Sequence, residues 1–136
     1  MTRFRFLHAS DLHLDSPYQG VGTVPPDVGA MLKDASLEAF DRLTDLALDR
    51  QVAFVLLAGD LYDGPERGVR AQLRFLRAVE RMGQAGIQVF VVHGNHDPLG
   101  GWTAFRELPS NLTIFNSREV EDMAVEQGSE RLEAAD

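Results

Sequence analysis

Val52-Ala53-Phe54-Val55-Leu56-Leu57-Ala58-Gly59-Asp60-Leu61-Tyr62-Asp63 is the stretch that decides the fold. Its first seven residues are apolar and rich in β-branched and aromatic types, the composition of a strand buried on both faces of a parallel sheet. Gly59 and Asp60 end the run. A carboxylate fixed directly after a buried strand, on a glycine that lets the backbone turn, sits at the sheet edge where open α/β proteins bind their ligands. Asp60 is therefore the first candidate for chemistry.

The same order of strand and polar turn recurs on both sides. Upstream, Arg3 to Ala9 reads as a short strand and runs into Ser10-Asp11-Leu12-His13; downstream, Ile87 to Val92 runs into His93-Gly94-Asn95-His96-Asp97-Pro98. The connections are helical. After a loop carrying Pro17, Gly20, Gly22, Pro25 and Pro26, a helix starts at Asp27. From Val28 its apolar positions (Val28, Met31, Leu32, Ala35, Ala39, Phe40, Leu43, Leu46 and Ala47) keep a 3.6-residue period to about Arg50. A second amphipathic helix spans roughly 66 to 84, with Val69, Leu73, Leu76, Val79 and Met82 inward and a stop near Gly83 and Gly86. Strand, helix, strand, helix, strand is the pattern of right-handed parallel crossovers, which brings all three strand ends, and their polar clusters, to one edge of the sheet.

Beyond Pro98 the pattern predicts a short helix over Trp102 to Leu108, a fourth strand over Leu112 to Phe115 and strand character in Met123-Ala124-Val125. Gln127 to Asp136 is polar and acidic and reads as frayed, so residues 120–136 form the weakly structured end of a single domain over 1–136.

Composition narrows the chemistry. A chain of 136 residues is one domain with one core. No apolar run approaches the roughly 20 residues of a membrane span, and Met1-Thr2-Arg3 leads into a strand without a signal-peptide pattern, so a cytoplasmic protein is expected. The absence of cysteine removes disulfides, thiolate metal sites and thiol nucleophiles together. A formal net charge of -8 argues against nucleic-acid binding by a broad basic surface. It leaves room for phosphate binding through metal ions, because carboxylates that hold divalent cations look acidic on paper while presenting a positive site.

The converging residues are Asp11, His13, Asp60, Asn95 and His96. Oxygen donors with imidazole and no sulfur suit Mn, Fe(II) or Zn. Two ions about 3.5–4 Å apart can share one carboxylate, and Asp60 on the middle strand is the natural bridge. Asp11 and His13, i and i+2 on an extended segment, point the same way and serve one ion. Asn95 offers its carbonyl oxygen to the second ion, and His96 is free to donate a proton to a leaving alkoxide, with Asp97 placed to orient the imidazole.

Asp11-Leu12-His13, Gly59-Asp60-Leu61-Tyr62-Asp63 and Gly94-Asn95-His96-Asp97, in that order and each at a strand end, resemble the signatures of the calcineurin-like metallophosphoesterases. His-Ala-Ser-Asp-Leu-His-Leu-Asp-Ser-Pro at 8–17 and Ala58 to Asp63 look most like the DNA-repair exonuclease (SbcD-like) branch. The resemblance covers residues 4 to about 116. It implies an α/β/β/α sandwich, of which this chain carries the first β-α-β-α-β half. It further implies two divalent ions, most often manganese, that activate a hydroxide for in-line attack on a DNA phosphodiester. His96 would assist the leaving oxygen. The partners it implies are DNA, a coiled-coil ATPase and a second copy of the chain. The family completes its metal shells with three further histidines from the second half of the domain. This sequence has four histidines and none after His96, so the 136 residues are expected to be a fragment short of ligands. Two other readings are a phosphodiesterase or phosphatase acting on small nucleotides or phosphoproteins, and a non-catalytic remnant serving as an interaction module.

The remaining polar residues read as structural. His8 and His93 are expected to pack or to make supporting hydrogen bonds, Asp15 to cap a turn, Asp63 to bond its own loop, and Trp102 and Phe105 to pack in the core. Helix two carries Arg67, Arg70, Arg74, Arg77 and Arg81 on one stripe, and helix one carries Asp34, Glu38, Asp41, Asp45 and Asp49 on another. Adjacent crossover helices predict charge pairing between the stripes or a solvated face, in preference to contact with DNA.

Overall fold

Four strands hydrogen-bond in chain order, all parallel: β1 (Phe6–Ser10), β2 (Phe54–Ala58), β3 (Gln88–Val92) and β4 (Leu112–Phe115). Helix α1 (Pro26–Asp49) joins β1 to β2, and α2 (Val69–Gln84) joins β2 to β3. A short antiparallel pair, β5 (Val125–Gln127) and β6 (Glu130–Leu132), follows. The computed structural model describes residues 3–14, 25–62, 68–92, 107–115, 120–127 and 130–132.

Both helices lie on one face of the sheet. Leu37, Phe40 and Ala47 of α1 and Phe75, Leu76, Val79 and Met82 of α2 share one core with Val55, Leu57, Val89, Val91 and Leu112 from the strands. The inward stripes differ in phase from the periodic reading: Leu37, Ala71, Phe75 and Ala78 are buried, while Val28, Met31, Leu46, Val69 and Leu73 are exposed. Length explains α1. At about 1.5 Å per residue its 24 residues extend roughly 36 Å, whereas a five-residue strand spans about 17 Å, so only one half can lie on the sheet. Burial begins at Leu37, so the N-terminal half overhangs the edge at which the strands end.

Each helix ends in the same device. Beyond α1, Gln51 takes a left-handed φ of 49° and the amides of Gln51 and Val52 donate to the carbonyls of Leu48 and Ala47. Beyond α2, Gly86 takes φ 76° and the amides of Gly86 and Ile87 donate to those of Gly83 and Met82. This is the Schellman arrangement, in which a left-handed residue closes the last turn and an apolar residue (here Val52 or Ile87) re-enters the core.

The charged stripes pair across the helices: Arg70 to Asp34 at 2.6 Å, Arg81 to Asp45 at 2.9 Å, and Arg74 to Asp41. Half-exposed pairs of this kind contribute a few tenths of a kcal/mol to about 1 kcal/mol each, so they set the register of α1 on α2 more than they stabilise it.

The other sheet face is aromatic. Phe6 stacks on Phe54 at 5.2 Å, Phe54 meets Phe90 edge-on at 5.9 Å, and Phe90 meets Phe115 at 5.9 Å, one ring from each strand. Val125 of β5 packs on Ala53 and Phe90, and a cavity of about 200 Å³ lies among Phe54, Leu56, Phe90, Phe115, Met123 and Val125. These layers are the first half of the expected sandwich: helices, parallel sheet, and a pair of strands beginning a second sheet. Three expectations are corrected here. Gln127 and residues 130–132, expected to fray, pair as strands together with Val125, where strand character was expected and which has an apolar surface to cover. His8 is exposed on β1, because it points to the aromatic face at the open edge of the sheet. Residues 107 and 108 are not helical. Asp15, Asp63, Arg67, His93, Trp102 and Phe105 lie outside the described residues.

Candidate metal centre

The β1–β2 ladder is regular through the pair Ser10 and Ala58, and then both chains turn left-handed together. Asp11 has φ 53° and His13 φ 44°; on the neighbouring strand Gly59 has φ 67° and Asp60 φ 42°. Only glycine adopts this region freely, and each non-glycine residue in it costs about 1 kcal/mol, somewhat less for aspartate. Backbone hydrogen bonds hold the two turns against each other. The amide of Asp11 donates to the Gly59 carbonyl at 3.3 Å, that of His13 to Asp60 at 3.0 Å and that of Leu14 to Leu61 at 2.9 Å. The Gly59 amide donates to the Val92 carbonyl at 2.7 Å and ties the pair to the end of β3. Parallel pairing then resumes for one bridge, Leu14 with Tyr62.

These turns bring three side chains together. One ligand atom each from Asp11, His13 and Asp60 lies within 4.8 Å of the others, with Asp11 exposed and the other two half-buried. The alternation expected on an extended segment is not the cause: Asp11 and His13 converge because both backbones are left-handed, a conformation that the spacing of residues does not reveal. Asn95 and His96 lie outside the described residues. Residues that support the cluster and carry no chemical signature of their own are Leu14, Leu61 and Tyr62, all buried in the helix-side core. Their signal in the sequence is an apolar residue directly after each polar one, Leu14 following His13 and Leu61-Tyr62 following Asp60.

Asp60 Oδ1 is buried and accepts no hydrogen bond among the described residues. A carboxylate oxygen withdrawn from water without a donor is costly unless a cation meets it. Two carboxylates and an imidazole, with no sulfur, form a donor set for a hard or borderline divalent ion. The residues present therefore fit a divalent metal, with Asp11, His13 and Asp60 able to hold it.

A family model described as calcineurin-like phosphoesterase matches residues 4–130. The chain is 42% identical over 123 residues to the uncharacterized metallophosphoesterase YhaO of Bacillus subtilis, an alignment covering 90% of this chain and 30% of that protein. It is 29% identical over 116 residues to SbcD of the SbcCD nuclease of Escherichia coli, covering 83% and 26%. It is also 29% identical over 104 residues to the DNA double-strand break repair protein Mre11 of Sulfurisphaera tokodaii, covering 76% and 25%. The chain thus spans between a quarter and a third of the length of these relatives.

Proposed function

The chain belongs to the calcineurin-like phosphoesterase family, and from that premise we propose that it carries the first half of a two-metal site for hydrolysing phosphodiesters, with DNA as substrate. The observation that carries the metal reading is the meeting of Asp11, His13 and Asp60 within 4.8 Å at the strand-end edge of the sheet. Nuclease and DNA-repair relatives support DNA over small phosphodiesters.

In this reading Asp60 would be shared by two divalent ions, manganese before iron or zinc, Asp11 and His13 would complete the protein share of one, and Asn95 would lend its amide oxygen to the other. Bound there, the ions supply Lewis acidity and lower the pKa of water for attack on phosphorus. His96 holds a proton on its imidazole and delivers it to the ester oxygen as the phosphorus–oxygen bond breaks. Four protein ligands, one of them shared, make about five metal bonds, whereas two ions need about eight to twelve, so efficient turnover calls for ligands beyond these residues. Cytoplasmic location, a coiled-coil ATPase partner and a two-fold assembly complete the proposal; among the described residues no helix is long and apolar enough to cross a membrane.

Mn²⁺ titration of the purified chain, followed by electron paramagnetic resonance, tests the division of roles. Micromolar binding is expected in the wild type and in His96→Ala, and its loss in Asp60→Ala. Equal loss in both variants would refute the roles, and no binding in the wild type would favour a non-catalytic module. Hydrolysis of linear double-stranded DNA against bis-p-nitrophenyl phosphate, by a protein containing the chain and its missing ligands, separates a nuclease from a small-phosphodiester enzyme.

A further inference from the structure

The two segments that present Asp11, His13 and Asp60 are pinned at both ends. Upstream they continue from the β1–β2 ladder, and the Gly59 amide is held by the Val92 carbonyl. Downstream the single bridge between Leu14 and Tyr62 closes them, and both of these residues are at least 97% buried. Tyr62 stands edge-on to Phe75 of α2 at 6.5 Å, and Phe75 stacks on Phe40 of α1 at 5.5 Å. The loop end is therefore joined through three rings to both helices. Between the anchors lie four left-handed residues, three of them with side chains that resist this conformation. Relaxation toward the extended region would lengthen the path between the anchors, and the burial of Leu14 and Tyr62 opposes it.

We propose that Leu14 and Tyr62 are positioning residues for the metal centre: their bridge, clamped by Phe75, holds the left-handed turns that aim Asp11, His13 and Asp60 at one point. This rests on the metal reading of those three side chains for its effect on affinity, and on backbone geometry alone for its effect on the turns. Neither residue touches the reacting atoms; each acts through the segment it anchors.

The test compares Tyr62→Leu, Leu14→Ala and Tyr62→Phe with Ile87→Ala, a core change just before β3 at the opposite sheet edge. Amide hydrogen exchange is read by NMR in metal-free protein, and Co²⁺ binding by its visible absorption. Tyr62→Leu and Leu14→Ala should each speed exchange of the His13 and Leu14 amides at least about tenfold relative to the central β2 amides, and weaken Co²⁺ by about tenfold or more. Tyr62→Phe keeps the ring and should stay close to wild type in both readouts. Ile87→Ala should lose thermal stability with its relative site-amide protection and Co²⁺ affinity unchanged. Retained protection in a folded Tyr62→Leu or Leu14→Ala protein would overturn the proposal, as would equal loosening by Ile87→Ala. Failure of both Tyr62→Leu and Leu14→Ala to fold would also overturn it, since the bridge would then hold the fold and not the turns. Absence of Co²⁺ binding by the wild type would sink the metal reading alone, because the exchange comparison needs no metal.

Discussion

Asp60→Asn should make the metal-free protein more stable and the metal-loaded protein relatively less so. The amide fits the left-handed backbone at this position as well as the acid does, because asparagine is among the residues that tolerate φ near 42°. What changes is charge. Carboxylate oxygens of Asp11 and Asp60 lie within 4.8 Å, and two like charges at that distance repel by about 1 kcal/mol in a water-like dielectric, the appropriate limit since Asp11 is exposed. Removing the charge also removes a desolvated anionic oxygen that no donor meets, so a gain of roughly 1–2 kcal/mol is expected without metal. At roughly 4 °C per kcal/mol for a domain of this size, the melting temperature should rise by about 4–8 °C. Mn²⁺ at about a hundred times its dissociation constant should stabilise the wild type by about 2.7 kcal/mol, or roughly 10 °C. The variant should gain little, so the order of the two melting curves inverts between EDTA and Mn²⁺. Thermal denaturation followed by circular dichroism reads both. A variant less stable than wild type in EDTA would refute the reasoning, because it would make the Asp60 carboxylate a structural hydrogen-bonding group.

Three further outcomes follow from the packing. Asn111 donates from Nδ2 to the carbonyls of Val79 and Ile87 at 2.8 and 3.0 Å, and a Cβ on Gly83 would stand 2.8 Å from its side chain. Gly83→Ala should therefore destabilise by about 1–2 kcal/mol despite the helix propensity of alanine, and become stabilising by up to about 1 kcal/mol once Asn111 is also alanine, which a urea double-mutant cycle would measure. Gln51→Gly should gain about 0.5–1 kcal/mol, because α1 closes on the same left-handed position that α2 gives to Gly86; an unchanged urea midpoint would show that glutamine is unstrained there. The chain should self-associate through its aromatic face, where Phe6 is 53% exposed beside Phe54, and Phe6→Lys should shift its elution in sizing chromatography toward the monomer, whereas a wild type that already elutes as a clean monomer would contradict this.

Parallel pairing of β1, β2 and β3 and the arrival of Asp11, His13 and Asp60 at one sheet edge were legible because they depend on two strong signals: apolar runs too short for helices, and the geometry of right-handed crossovers. The pairing of the arginine and aspartate stripes was legible for the same reason, since adjacent crossovers leave the two helices side by side. The inward phase of the helices was less so. Val69 and Leu73 satisfy a periodic count as well as Ala71 and Phe75 do, and only the position of the sheet beneath decides between them. The left-handed backbone at Asp11, His13 and Asp60 was not legible, because the mild tolerance of aspartate and histidine for this region does not single out these positions among the others; tertiary hydrogen bonds impose it.

Where those bonds are anchored explains why the three side chains already meet within this half of the sandwich. Among the described residues, the largest fully buried apolar side chains of the strands and helices, Phe40, Phe75, Leu37, Met82, Val55 and Val89 among them, belong to the helix-side core. Leu14, Leu61 and Tyr62 belong to the same core. The aromatic face, by contrast, leaves Phe4 and Phe6 exposed and encloses a cavity. Strain at the turns that carry Asp11, His13 and Asp60 is therefore resisted from the side of the sheet that α1 and α2 complete, and not from the side that a second sheet would cover. A loosely covered aromatic face can limit solubility and stability while the geometry of Asp11, His13 and Asp60 stays intact, because the two are held by opposite faces of one sheet.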